Sequence, residues 1–278
     1  MSGRVAATGV SAAFFVNSAF AFASAELLTA ALHEAGHGVA AQALGFSPHI
    51  YAFFEDNPSG TRAQSLLILA AGPLTSLVLG GLFLLWLRRG PPRYSFGRLL
   101  LFWLAWLGIM EFVNYLVVTP FLSAGDTAQI ADLLAWPLAI RYVIAALGVV
   151  LVLLLGRSAA AAMFVVAPGD PPLHLESRRG RRGFILFGFY LPLVAGVVLT
   201  ALAGIGGRPA MIGFGLLGTF GNIDIVVAAM YLGRPLEASG TAITPAPGAL
   251  LRVEPAAIVL YLALVALYVF VLAHGLPV

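Results

Sequence analysis

Neither cysteine nor lysine occurs among the 278 residues. The first absence excludes disulfides and thiolate metal sites, so any bound metal must be held by His, Asp, Glu or Asn. The second leaves arginine as the whole basic complement, 15 residues against 12 acidic ones. Charge is scarce altogether: 10% of the chain is charged and 60% hydrophobic, with a mean hydropathy of +0.97. Such a balance excludes an ordinary soluble domain and predicts a polytopic membrane protein, all-α, with about 6–8 transmembrane helices. The arginines cluster in short gaps between apolar runs, as topology signals do, so the expected partner is the lipid bilayer and no nucleic acid. The expected location is integral and multi-pass, in a bacterial cytoplasmic (inner) membrane.

Taken in order, the first apolar run covers residues 11–44, longer than the roughly 20 residues a bilayer requires, and Gly45 ends it. Its start resembles a signal peptide, but cleavage near Ala21-Phe22-Ala23 would damage a continuous helix, so retention is expected. Residues 46–64 carry Pro48, then a β-compatible stretch over 50–54, then the turn signal Asn57-Pro58 and Ser59-Gly60, which predicts a short membrane-associated β hairpin or loop. Further spans are expected over residues 65–87, 99–118, 138–155, 184–205, 211–232 and 255–274. Two segments read as loops: an Arg-rich one at 168–183 and a Pro/Ala-rich one at 233–254. With the N-terminus in the cytoplasm, these spans place twelve arginines inside and three outside, which favours that orientation.

Within the first run stands His33-Glu34-Ala35-Gly36-His37. On an α-helix the two histidines, at i and i+4, project from one face and can hold one zinc ion, with Glu34 beside them as a general base. Ionisable groups in an apolar span are costly, so their presence here is a functional signal. A catalytic zinc site takes three protein ligands and keeps one position open. For the third ligand, the acids in apolar surroundings are Glu26, Glu111, Asp126, Asp132 and Asp224. Glu26 lies about 10 Å along the helix from His33, too far to share its metal easily. Asp126 follows Thr119-Pro120 and Gly125, a break in the helical pattern from which a loop can aim a carboxylate. Asp224, in Gly221-Asn222-Ile223-Asp224, is the rival.

His33 to His37, then Ala71-Gly72-Pro73-Leu74, then Asn114, Pro120 and Gly125-Asp126 together resemble the site-2 protease family of intramembrane zinc metalloproteases, over roughly residues 20–135. The resemblance implies a site-2-protease-like three-helix core in residues 1–135, with residues 136–278 adding further transmembrane helices. It implies His33, His37 and Asp126 as zinc ligands, Glu34 as the catalytic residue that polarises water, and Asn114 as a substrate-positioning or supporting residue. The 46–64 segment is similar to the family's β element, which can pair with an unwound substrate. Two features depart from the family pattern. The aspartate sits in Ala124-Gly125-Asp126-Thr127 where Leu-Asp-Gly is usual, and the charge count runs the first helix from inside to outside.

The expected function is thus an intramembrane zinc metalloendopeptidase with Zn2+ as cofactor, hydrolysing a peptide bond in a transmembrane or membrane-adjacent protein segment. The alternative is a proteolytically silent subunit of the same fold in a membrane protein complex. Among the other polar residues, His49, His174 and His274 read as solvated or interfacial, and Trp86, Trp103, Trp106 and Trp136 as interface or lipid-facing markers.

Overall fold

A computed structural model describes residues 10–51, 55–56, 60–89, 95–123, 125–166, 177–203, 222–232 and 252–278. The chain is an all-α polytopic membrane protein. Its described helices are α1 (Ala12–Ala43), α2 (Arg62–Arg89), α3 (Phe96–Val118), α4 (Asp126–Leu133), α5 (Leu138–Val165), α6, α7 (Ile223–Leu232) and α8 (Pro255–Phe270). Helix α6 runs as Arg178–Ile185, a π-helical turn Leu186–Tyr190, and Leu191–Ala203. Six of the eight, all but α4 and α7, are long and apolar enough to cross a bilayer.

Local chemistry sets the ends of α1. Ser11 caps its first turn, accepting from Phe14 N at 3.0 Å. At the other end Gly45, with φ +87°, donates to Gln42 O while Phe46 N donates to Ala41 O, the paired bonds of a glycine-terminated helix. His33 thus lies about 15 Å below the end of α1, near the middle of a hydrocarbon layer of about 30 Å.

Helices α1, α2 and α3 form a mutually packed trio. Glycines allow the close approach: a Cβ on Gly80 would come within 2.7 Å of Ile109 N, and one on Gly108 within 2.7 Å of Ser76 O. The second half of the chain wraps this trio and shares its core. Phe14 of α1 stacks on Phe184 of α6 with centroids 6.0 Å apart, and Phe22 meets Trp103 edge-on at 4.9 Å. Outward-facing apolar side chains such as Val78 and Leu82 on α2, and Val143 and Leu147 on α5, are exposed, as a lipid-facing surface requires.

Contacts also fix which helix ends lie together. Asn17 near the start of α1 donates to Arg252 O and accepts from Glu254 N, so α1 and α8 begin on one side. Arg98 donates to Leu87 O, joining the end of α2 to the start of α3, and Phe164 packs on Phe184 where α5 ends and α6 begins. Arg88, Arg89, Arg98, Arg157, Arg178, Arg179, Arg181, Arg182 and Arg252 therefore gather toward the side where α1 starts, and Arg62 and Arg141 toward the other. The described arginines are thus divided unequally between the two ends of the helix bundle.

Two expectations need correction, the expected β hairpin gains a third strand, and one expected span is described only in part. The 168–183 segment is not a loop throughout, because Arg178–Ile185 is the first part of α6; residues 168–176 lie outside the described residues. Trp103 and Trp106 are buried in the core, and of the four tryptophans it is Trp86 that is most exposed. The β element has three strands: β1 (His49–Ile50) pairs antiparallel with β2 (Glu55–Asp56) and also with β3 (Leu276–Pro277). Both sides of β1 are therefore taken, one of them by a distant part of the chain. Of the span expected over 211–232, α7 covers the last ten residues, and 211–221 lie outside the described residues, as do 233–251 of the Pro/Ala-rich segment and His174.

Candidate metal centre

Of four buried residues on α2 spaced by four, Ile68, Gly72 and Ser76 face the histidines, while Gly80 meets the backbone of α3. The row is one face of the helix, and each member has a task. Ile68 offers its carbonyl, accepting from His37 Nδ1 at 2.7 Å. At Gly72 any Cβ would fall on the His37 imidazole, so only hydrogen leaves room for the ring. Ser76 Oγ lies 3.2 Å from His33 Nδ1 and donates to Glu111 Oε2 at 2.7 Å. Pro73 has no N–H for the Leu69 carbonyl, which weakens the helix ladder next to Ile68. On α1, Gly36 lets α2 come close on the same side: a Cβ there would lie 2.5 Å from Thr75 Oγ1.

The third side comes from the break after α3. Tyr115 O is one of the last four carbonyls of that helix, which lack helical partners. Thr127 Oγ1 donates to it at 2.6 Å, and Thr119 Oγ1 lies 2.7 Å from it and 2.9 Å from Thr127 Oγ1. These bonds tie the start of α4 to the end of α3. Gly125, immediately before α4, has φ +128°, a backbone that L side chains rarely adopt, and through it Asp126 turns inward.

The result is a triangle of donor atoms. His33 Nε2 lies 3.0 Å from Asp126 Oδ2 and 3.1 Å from His37 Nε2, and His37 Nε2 lies 3.4 Å from the same Asp126 oxygen. His33, His37 and Asp126 are all buried. Tetrahedral ligands at about 2.0–2.1 Å from a central ion stand about 3.3 Å apart. The three edges match that spacing, and the group can hold a metal ion. The outer nitrogens support the same conclusion. With an ion bound between the inner nitrogens, the acceptors at both Nδ1 atoms would hold the protons there and leave each Nε2 lone pair facing inward.

No protein family, curated protein or solved structure matches this chain.

Each expected site residue has a definite place. Glu34 is buried on α1, within electrostatic reach of His33, His37, Asp126 and Glu111. Asn114 shares a face of α3 with Glu111, three residues before it, and is followed by Tyr115, whose ring stacks on His33 at 5.6 Å and 20°. Of the five acids weighed as third ligand, Asp126 joins the inner nitrogens. Glu111 stands instead on the outer nitrogen of His33, its Oε1 3.2 Å from Nδ1. Asp132 pairs with Arg141 at 2.6 Å on an exposed surface. The rival, Asp224, is not in the group: it opens α7, where its Oδ1 accepts from Ile225 N. Ser76, Ile68 and Tyr115 were not singled out from sequence. The small-residue period Gly72, Ser76, Gly80 was the available signal, since such a stripe marks a close helix contact.

Proposed function

We propose that this protein is an intramembrane zinc metalloendopeptidase that hydrolyses a peptide bond in a transmembrane or membrane-adjacent segment of another protein. The observation that carries the proposal is the buried triangle of His33, His37 and Asp126 with Glu34 beside it, at mid-depth in a membrane helix trio. Two nitrogen donors and one carboxylate, with no sulfur, suit zinc and leave a fourth position for the reaction. The arrangement supports the resemblance to the site-2 protease family, whose three-helix core carries the same donor types in the same chain order.

A zinc ion at the three donors would supply Lewis-acid polarisation of the scissile carbonyl and acidify water near neutrality. Glu34 accepts the proton of the attacking water as its oxygen bonds to the carbonyl carbon. Glu34 then delivers that proton to the amine nitrogen as the C–N bond breaks. His33, His37 and Asp126 hold their positions through bonds to Ser76, Glu111, Ile68 and the α3–α4 junction. Burial among α1, α2 and α3 keeps bulk water out and strengthens every charge interaction in the site.

The test uses full-length protein in liposomes with a transmembrane reporter. Glu34→Gln should lower cleavage by roughly 10²- to 10⁴-fold while zinc content stays equimolar. Unchanged cleavage in that variant, or no zinc in the wild type, overturns the proposal. Stable zinc binding without cleavage of any reporter would favour the silent subunit instead.

A further inference from the structure

The outer nitrogens of the two histidines are held by different chemistry. His37 Nδ1–H donates to a neutral peptide carbonyl, that of Ile68, at 2.7 Å. His33 Nδ1 faces a carboxylate, Glu111 Oε1 at 3.2 Å, and a hydroxyl, Ser76 Oγ at 3.2 Å. Ser76 has one hydroxyl hydrogen and gives it to Glu111 Oε2 at 2.7 Å, which leaves only lone pairs on Oγ for His33. Both neighbours of Nδ1 are thus acceptors. With an ion at the inner nitrogens, the proton would sit on Nδ1 and the lone pair on Nε2, the atom 3.1 Å from His37 Nε2 and 3.0 Å from Asp126 Oδ2.

We propose that Glu111 is a positioning residue of the metal centre: its carboxylate, held by Ser76, fixes the ring plane and tautomer of His33 and so sets the affinity for zinc. This rests on the zinc-site reading given above. Two further observations carry it. Helix α3 grips the same ring twice, because Tyr115, one turn after Glu111, stacks on His33 at 5.6 Å and 20°. The contact also depends on how closely α2 and α3 approach, since Ser76 O would be 2.7 Å from any Cβ on Gly108. A carboxylate is costly at this depth, and bonding to a metal-ligating histidine is a recurrent reason to keep one.

The experiment measures zinc affinity of purified full-length protein in detergent, without substrate, by competition with a chromogenic chelator. Glu111→Ala should weaken zinc binding by roughly 10- to 100-fold. Glu111→Gln, which still accepts from Nδ1–H but lacks the charge, should recover part of that loss, and Ser76→Ala should cost least. The visible spectrum of Co2+-loaded protein should shift in Glu111→Ala and return toward wild type in Glu111→Gln, a recovery that a merely structural role does not produce. If Glu111→Ala fails to fold, the Gln and Ser76→Ala variants carry the test. Wild-type affinity in the Glu111 variants overturns the proposal. So does Glu111→Gln losing zinc as fully as His33→Ala, which would make Glu111 a ligand. A wild type that binds no zinc removes the underlying reading, whereas tight wild-type binding with indifferent Glu111 variants removes this inference alone.

Discussion

Gly72 of α2 lies against the imidazole of His37 so closely that a Cβ would come within 2.7 Å of Nε2, Cε1 and Cδ2 of the ring, too near for any side chain. Shape and chemistry meet at this contact, since the same ring donates to Ile68 O one turn earlier on α2. Gly72→Ala is expected to swing the ring off that carbonyl and out of line with His33 and Asp126. Zinc affinity should fall by at least about 10-fold, the usual cost of losing an outer partner, while helix content by circular dichroism stays near wild type. A variant with wild-type affinity would show that His37 is free to re-seat.

Asp126 and its rival Asp224 should separate sharply. Asp126→Ala removes one corner of the triangle and is expected to leave purified protein with little zinc by elemental analysis. Asp224→Asn alters a residue whose carboxylate serves the start of α7, so its zinc content should match wild type. The reverse result would return Asp224 to the site.

Much of this was legible in sequence, for identifiable reasons. The spans showed because a bilayer demands long apolar runs, and His33, Glu34 and His37 showed because their i, i+4 spacing is local to one helix. Gly45 and the break before Asp126 were readable from glycine's conformational freedom. The partners of the ligands were not. Ser76, the Ile68 carbonyl and Glu111 reach the histidines only through the packing of α2 and α3 on α1, and no pattern within one helix names its neighbour's residue. Trp103 and Trp106 were misread for a related reason: tryptophan is common at interfaces, but Phe22, Phe102 and Phe189 enclose Trp103 in the core. The pairing of β3 with β1 joins residues more than two hundred positions apart, beyond any local signal.

Gly125 offers a third test. Its φ of +128° puts any side chain in a strained conformation, and an added Cβ would meet the Tyr115 ring at 3.2 Å. Gly125→Ala should cost about 1–3 kcal/mol of stability, read as a lower unfolding midpoint. Because the strain bears on the residue just before Asp126, zinc affinity should fall with it. Thr127→Val, which removes the 2.6 Å bond to Tyr115 O, should weaken zinc binding in the same direction without backbone strain.

The last expectation concerns the sheet. Under the proposed activity, a substrate segment adding to β1 would find that strand paired on both sides, with His49 opposite Asp56 and Pro277, and Ile50 opposite Glu55 and Leu276. On the β3 side Val278 N donates to Pro48 O at 3.2 Å, and Val278 packs in the same cluster as Ile50 and Ala35 of the histidine helix. Pro277 has no N–H to give, so this pairing is short of hydrogen bonds and worth little, at about 1 kcal/mol for each bond made. Under the proposed activity a substrate peptide would displace β3 more readily than β2, which the short connection from β1 tethers. If the protein is the endopeptidase proposed above, removing residues 276–278 should raise kcat/KM on the transmembrane reporter several-fold, chiefly through a lower KM, with little change in zinc content. Glu34→Gln in the shortened chain should remain inactive. Slower cleavage after the deletion would instead make β3 a support for β1, with substrate entering from another direction.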